Sequence, residues 1–355
     1  MSRFRGYVRF GLGAGGALVT TLVGLGVSVG WWLSGPGYTG PVSDHFDGTE
    51  FANTETTTMP SGSRGLRMLS EGRGPAWETR AVAPQSIPEA RVPGGRMRAT
   101  FVNHATVLVQ HDGVNVLTDP IWSERCSAVQ WAGPARHHAP GVALDELPSI
   151  DVVLISHNHY DHLDVGTLEA LATRDDPVLI VPLGSGATVA SLGFSRVLEL
   201  DWRETVEVAG LTVTGEEVRH FSSRGLFDRN RSLWMGFSVE GPEAGRWYFA
   251  GDTGFGKHFA ETGAARGPFR LALLPIGAYG PRWFMGPIHM DPDQAVQAHQ
   301  ALGSQLSVGV HFGTFRLTTE GQDAPLIELA EARRTHGLPD DRFLALLPGE
   351  AVEVR

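Results

Sequence analysis

Three histidines and one aspartate fall within six positions of this chain, in the stretch ISHNHYDHLD, residues 155–164. His157, His159, Asp161 and His162 follow the apolar run DVVLI, and only 14 of 355 residues are histidine. A tight loop at the end of a buried strand would project all four side chains from one end of a sheet. Imidazole nitrogens and carboxylates at this density suit Zn²⁺ or a similar ion, with Zn–N near about 2.0–2.1 Å. Without a metal, rings so placed would repel when protonated or leave buried nitrogens unsatisfied. An isolated core histidine, by contrast, needs only one partner.

Three more ligand-type residues end later apolar runs. EEVRHFS carries His220, RWYFAGDTG carries Asp252 in a glycine-flanked turn, and LSVGVHFGT carries His311. Each alone is a weak signal, because a single His or Asp after a strand is usually structural. Four protein ligands can close one structural site. Together the seven are enough for two metal ions that share a carboxylate.

The elements that must position these groups read as strands with interspersed helices. RATFVNHATVLVQ and VNVLTDP, separated by the turn HDG, read as a hairpin. DVVLIS, VLIVP, RVLEL, LTVTGEEV, LWMGFSVE, RWYFAG, RLALLPIG and LSVGVHFG read as further strands. VGTLEALATR reads as a short helix. DPDQAVQAHQAL reads as a helix with Asp291 as N-cap and Pro292 in its first turn. APLIELAEARRTHG reads as another, ending near Gly337. This pattern predicts layered sheets flanked by helices.

Hydrophobic content of 42% with 19% charged residues supports a sizeable core, and the length suits one large domain or two ordinary ones. The net charge of −10 argues against nucleic acid as a main partner, whose binding footprint is basic. The single cysteine, Cys126, excludes an internal disulfide framework and a cysteine-rich zinc site. At the N-terminus, Arg3, Arg5 and Arg9 precede the uncharged residues 11–33. About 20 apolar residues span a bilayer as a helix. Trp31 and Trp32 sit where an interfacial aromatic belt would lie. The preceding positive charge predicts a single-pass membrane protein, N-terminus cytoplasmic, with the bulk of the chain on the outer side. A cleaved signal peptide is the competing reading, but no small-x-small site directly follows the apolar run. Residues 1–35 are therefore read as a membrane anchor, residues 36–96 as a tether and irregular lead-in, and residues 97–355 as the folded body.

HNHYDH followed by a strand-end His, GDTG and HFGT resembles the metallo-β-lactamase superfamily. Further runs narrow the resemblance to the N-acylphosphatidylethanolamine-hydrolysing phospholipase D family. They include FVNHATVLVQHDGVNVLTDPIWS, HFSSRGLFDRNRSLW, GPFRLALLPIGAYGPRWFM and HMDPDQAVQAH, and the resemblance spans about residues 97–350. It implies an α/β fold, the αββα metallo-β-lactamase sandwich, with a dinuclear zinc site between the sheets. His157, His159 and His220 would hold one zinc ion. Asp161, His162 and His311 would hold the other, with Asp252 bridging. Iron or manganese also fits such ligands. Two metal ions about 3.5–4 Å apart lower the pKa of a shared water and supply hydroxide near neutral pH. The implied reaction is phospholipase D-type hydrolysis of an N-acylphosphatidylethanolamine-like lipid, with phospholipid and membrane as partners and the oligomeric state open.

In that reading Asp161 also orients the nucleophile. His289, in GPIHMDP, either donates a proton to the leaving oxygen or packs beside a helix start. Asp119, in LTDP, is read as orienting a ligating histidine, and His104, in VNHAT, either as a similar partner of the centre or, the reading preferred here, as a satisfied strand histidine. Asn158 and Tyr160 are read as pointing away from the metals. Tyr279, Trp283, Phe284 and Met285 beside Arg282 form either core packing or a lip for acyl chains and phosphate. Arg224 and Arg229 are either a second phosphate-binding pair or solvated loop charges. Two rival functions fit the same residues. One is a lactonase or other ester or phosphodiester hydrolase of this fold acting on a soluble substrate, which the metal site alone does not separate. The other is a non-catalytic, membrane-tethered metal-binding module, against which the complete ligand set speaks.

Overall fold

The computed structural model describes residues 28, 30, 33–57, 67, 72, 74–83 and 87–355. Its first strands are β1 (Met97–Asn103), β2 (Thr106–His111), β3 (Val114–Thr118), β4 (Val152–Leu154), β5 (Val178–Pro182) and β6 (Val197–Leu200). Then come β7 (Thr205–Val208), β8 (Leu211–Glu216), β9 (Gly236–Gly241), β10 (Gly245–Phe249), β11 (Leu271–Pro275), β12 (Leu306–Val310), β13 (Phe343–Leu344) and β14 (Ala351–Val354). The helices are α1 (Val165–Arg174), α2 (Gly186–Val189), α3 (His258–Arg266), α4 (Arg282–Met285), α5 (Pro292–Leu302) and α6 (Ala324–Thr335).

The strands form two seven-stranded mixed sheets, ordered β14-β1-β2-β3-β4-β5-β6 and β13-β12-β11-β10-β9-β8-β7. β1, β2 and β3 are antiparallel neighbours, and β3 through β6 run parallel. β10 through β13 are likewise parallel. Parallel neighbours need a crossover, and α3, α5 and α6 lie in the three crossovers of that sheet. Side-chain alternation shows the layering. Val107 and Val109 of β2, Val152 and Leu154 of β4 and Ile180 of β5 join the core cluster that contains Phe237, Trp247 and Phe249 of the other sheet. Their neighbours Leu108, Val153, Leu179 and Val181 join a second cluster with Leu168 and Leu171 of α1. Period-two alternation thus gives the first sheet one face toward its partner sheet and one toward α1.

The run RATFVNHATVLVQ, expected as one strand, is two. The chain turns at His104, whose φ is 45°, and pairs β1 with β2. β7, β13, β14 and α3 have no counterpart among the elements read from the sequence. The cap of α5 matches its expectation: Gln294 N donates to Asp291 Oδ1 at 2.9 Å, with Pro292 opening the helix.

Apart from residues 28, 30 and 33, the segment 11–33 expected to cross a membrane lies outside the described residues. Among the described residues no helix is long and apolar enough to cross one. Residues 34–57 form no strand of either sheet, yet they belong to the packed body. Phe46 and Phe51, each 1% exposed, join the main core. The His45 ring stacks on Trp202 at 4.5 Å, and its Nε2 lies 2.8 Å from Asp201 Oδ1.

Candidate metal centre

The HNHYDH loop begins three residues past the end of β4, and its shape is held from one side. The Arg224 guanidinium donates to Asn158 O and Leu163 O, each at 2.8 Å, and stands 4.0 Å from the Tyr160 ring centroid. Asn158 Nδ2 donates to Ser232 Oγ at 2.8 Å, and its Oδ1 accepts from Ser223 N at 2.9 Å. Asn158 and Tyr160 are thereby committed to the 222–232 loop. His157, His159, Asp161 and His162 meet groups borne just beyond β8, β10 and β12.

Three imidazoles converge first. His157 Nε2 lies 2.7 Å and His220 Nε2 3.3 Å from His159 Nδ1. His220 Nδ1 donates to Ile288 O at 3.1 Å, which leaves its Nε2 lone pair facing the cluster. Beside this trio, Asp161 Oδ2 lies 3.4 Å from His162 Nε2 and 3.3 Å from His311 Nε2. Asp252 Oδ2 stands between the sets. It is 3.2 Å from His162, 3.1 Å from His311, 3.9 Å from His157 and 3.8 Å from His220. A single carboxylate oxygen within reach of both trios is what a bridging ligand requires. All seven residues expected from the sequence are therefore brought together. His289 Nδ1 joins them at 3.9 Å from Asp252 Oδ2.

The donor set fits a cation. His162 Nε2 and Asp252 Oδ1 are buried without a hydrogen-bond partner, a loss of about 1–3 kcal/mol for each such atom. A metal ion satisfies lone pairs of this kind. Asp119 Oδ2 accepts from His162 Nδ1 at 2.6 Å, which turns Nε2 inward, toward the Asp252 carboxylate. Asp119 is itself held by Ser156 N at 2.7 Å and Ser156 Oγ at 2.6 Å. The role read for Asp119 from the sequence has this geometry.

Burial lowers His157 strongly, His159 to about 4 and His220 to about 3, so these rings are neutral. Burial also pulls on His311, but Asp252 and Asp161 outweigh it and raise the ring to about 9. His162 rises for the same reason against its own burial. Asp161 and Asp252 resist a burial that would raise them, and His162 above all holds both well below the carboxylate range. Burial brings His289 down to about 3.

His104 is not a strand histidine. Its Nε2 lies 3.0 Å from Asp161 Oδ2, and it groups with Asp161, His162 and His311 as a fourth ligand-type side chain. The polar pair Asn103–His104 interrupting an apolar run was the available sign of a turn. His104, Asp119 and His311 have φ of 45°, 33° and 61°, a region that costs L-residues about 1–3 kcal/mol each. His311 N donates to His104 O at 2.7 Å, tying two of these strained positions together.

The centre opens into a cavity of about 480 Å³. Phe221, Phe284, Met285, Ile288 and Leu317 supply apolar wall, and Arg229 supplies a cation. The expected arginine pair therefore divides. Arg229 lines the cavity, whereas Arg224 braces the ligand loop. Arg282 is committed elsewhere: it donates to His289 O at 2.8 Å and Gln294 Oε1 at 2.7 Å, and its Nε lies 3.1 Å from Asp291 Oδ2. It fixes the segment that presents His289. Of the expected lip, Phe284 and Met285 face the cavity, and Trp283 lies against Arg67 at 4.3 Å.

A family model described as beta-lactamase superfamily domain matches residues 114–312, more than half of the chain. The chain belongs to the beta-lactamase superfamily. All seven expected ligands lie within the superfamily match, while His104 and the lead-in precede it. The chain is 41% identical over 270 residues to N-acyl-phosphatidylethanolamine-hydrolyzing phospholipase D 1 of Caenorhabditis elegans, covering 72% of this chain and 75% of that one. It is 35% identical over 227 residues to the mitochondrial N-acyl-phosphatidylethanolamine-hydrolyzing phospholipase D of Saccharomyces cerevisiae, covering 62% and 48%. Among solved structures, an isothiocyanate hydrolase from Delia radicum gut bacteria is similar with a TM-score of 0.57 and 25% identity, covering 72% of this chain and 98% of that one.

Proposed function

We propose that this superfamily member is a metal-dependent phosphodiesterase of phospholipase D type that hydrolyses N-acylphosphatidylethanolamine-like lipids. The observation that carries the reading is one cavity that joins the His/Asp centre, a largely apolar wall and the Arg229 guanidinium. The relatives at 41% and 35% identity, both named as phospholipases D for this lipid, support it.

In this reading His157, His159 and His220 would hold one ion and Asp161, His162 and His311 the other, with Asp252 placed between the two trios. Zinc is the proposed metal, because the ligands are mostly imidazole. When bound, two such cations would supply Lewis acidity and lower the pKa of a water at the centre. The chain's own groups do the rest. The apolar wall takes acyl chains and excludes bulk water. Arg229, with its fork of donors, suits the phosphate. Asp161 accepts a hydrogen bond from the attacking water and orients it. Water oxygen joins phosphorus, the bond to the N-acylethanolamine oxygen breaks, the proton given up by the water ends on that departing oxygen, and phosphatidate remains. His289 is neutral through burial and offers an N–H as hydrogen-bond donor to the leaving oxygen; full proton donation would need the imidazolium that burial opposes. Residues 11–33 complete the proposal as a membrane anchor, N-terminus cytoplasmic and catalytic domain on the outer side. Their support is the uncharged run behind Arg3, Arg5 and Arg9.

The test is to purify the full chain in detergent, count its metal, and assay N-acylphosphatidylethanolamine vesicles against a soluble phosphodiester and a lactone. The expected result is about two ions per chain and fastest turnover of the lipid. Equal or faster turnover of the lactone overturns the substrate assignment.

A further inference from the structure

His220 stands beyond the end of β8, with its side chain 1% exposed. Its backbone N–H and C=O therefore have no place in the sheet ladder, and buried peptide groups need partners. Both are met by one side chain from the lead-in. Asn53 Nδ2 donates to His220 O at 2.9 Å, and Asn53 Oδ1 accepts from His220 N at 3.1 Å. The same Oδ1 accepts from Trp234 Nε1 at 3.0 Å, and that indole also donates to Val218 O at 3.1 Å. The carboxamide thus acts as a strand partner compressed into a side chain. Asparagine suits this task because it carries a donor and an acceptor on a single short arm; aspartate lacks the donor.

The segment around Asn53 is fastened on both sides. Phe51 N donates to Asn230 O at 2.7 Å, and the Phe51 ring is buried in the main core. On the other side Glu55 Oε2 accepts from Lys257 N at 3.2 Å, and Glu55 Oε1 lies 3.7 Å from Arg219 Nη1. Lys257 belongs to the turn that follows Asp252. Arg219 N in turn donates to Thr253 Oγ1 at 3.0 Å, and Gly254 N donates to Arg219 O at 2.9 Å. Residues 51–55 therefore bind the chain that bears His220 and the chain that bears Asp252.

We propose that Asn53 is a positioning residue of the metal centre: it fixes the His220 backbone and so sets where His220 Nε2 meets His157 and His159. The lead-in is then a working part of the site, although it lies before the superfamily match at 114–312. This rests on the metal assignment made above.

The test uses full-length protein stripped by chelator and titrated with Co²⁺, reading affinity by chelator competition and ligand geometry by the cobalt absorption bands. Asn53→Ala is expected to weaken the ion held by the three imidazoles by about 10–100-fold and to alter its bands. Asn53→Asp, nearly the same shape, is expected to do no better, since it sets a carboxylate against His220 O. The control is Asn115→Ala, which removes hydrogen bonds to Ala90 O, at 3.0 Å, and Ser149 O, at 2.8 Å, in the β2–β3 region. It is expected to lower Tm while leaving cobalt affinity and spectrum unchanged. Wild-type affinity in Asn53→Ala or Asn53→Asp overturns the proposal, as does an equal loss of affinity in Asn115→Ala. A wild-type chain that takes up no cobalt overturns the metal assignment and this inference with it, an outcome distinct from a loaded wild type beside an unaffected variant.

Discussion

The two halves of the metal centre are made from similar side chains and are electrically opposite. On one half, His157, His159 and His220 present three nitrogens that burial keeps neutral. The Asp252 Oδ2 that approaches them stands 3.8–3.9 Å from His220 and His157. On the other half, Asp161 and Asp252 crowd His162 and His311 at 3.1–3.4 Å and hold both rings charged in the metal-free protein. The imidazole half is thus ready for a cation as built. The carboxylate half is internally ion-paired, and a cation entering it must drive protons off His162 and His311. The pair teaches that seven candidate ligands of a symmetric-looking set need not make two equivalent sites: if both trios take a cation as proposed, the carboxylate half would bind with proton release and the imidazole half without it.

The largest effect comes from breaking what the halves share. Asp252→Asn keeps the shape of the side chain and removes the charge between the two trios. We expect kcat/KM on the lipid to fall by roughly a thousandfold, about 4 kcal/mol of barrier, with metal content below that of wild type and the circular dichroism spectrum retained. Wild-type turnover in this variant would show that the halves have no common ligand.

A smaller effect should fall on one half alone. His104 touches Asp161 and none of the first trio. His104→Asn keeps a residue that tolerates the left-handed backbone at this position and removes the imidazole. Cobalt titration is expected to show about tenfold weaker binding of one ion and unchanged binding of the other. Equal weakening of both ions would mean that the halves are mechanically one unit.

The contrast between His104 and the HNHYDH loop also shows what could be read in the chain before its structure. His157, His159, Asp161 and His162 lie on one loop, so their proximity is local and their types alone expose it. His220, Asp252 and His311 were legible because each ends an apolar run, and strands of one sandwich bring their ends together. The layered fold followed from the same runs. Of the two readings of His104, the strand reading was preferred because strand propensity continues through VNHAT and only a strained turn interrupts it. α3, with glycine inside it and a weak apolar stripe, gave no comparable signal. Arg224 and Arg282 were both candidate phosphate ligands, yet Arg224 is consumed by two backbone carbonyls and Arg282 by His289 O, Gln294 and Asp291, partners that only the folded chain brings near. Asn53 could not be found at all, since its partner lies 167 positions away.

The smallest effect tests the electrical opposition directly, in protein stripped of cations. His159 near about 4 and His220 near about 3 lie below the unfolded histidine value of about 6.5. The unfolded chain therefore takes up protons at these positions first, and acidification below about pH 6.5 withdraws stability. His311 at about 9 works the other way. Its contribution is complete below about pH 6.5 and is lost as pH rises through about 9. Thermal melts of the stripped protein should thus lose Tm on both flanks. His220→Gln should flatten the acid flank and leave the alkaline one, and His311→Gln should do the reverse. Each change should amount to a few degrees, since about 1 kcal/mol moves Tm by roughly 2–4 °C in a chain of 150–250 residues and less in a longer one. Flattening of the same flank by both variants would mean that the halves share one electrostatic character, and the proton release argued for one half alone would have no basis.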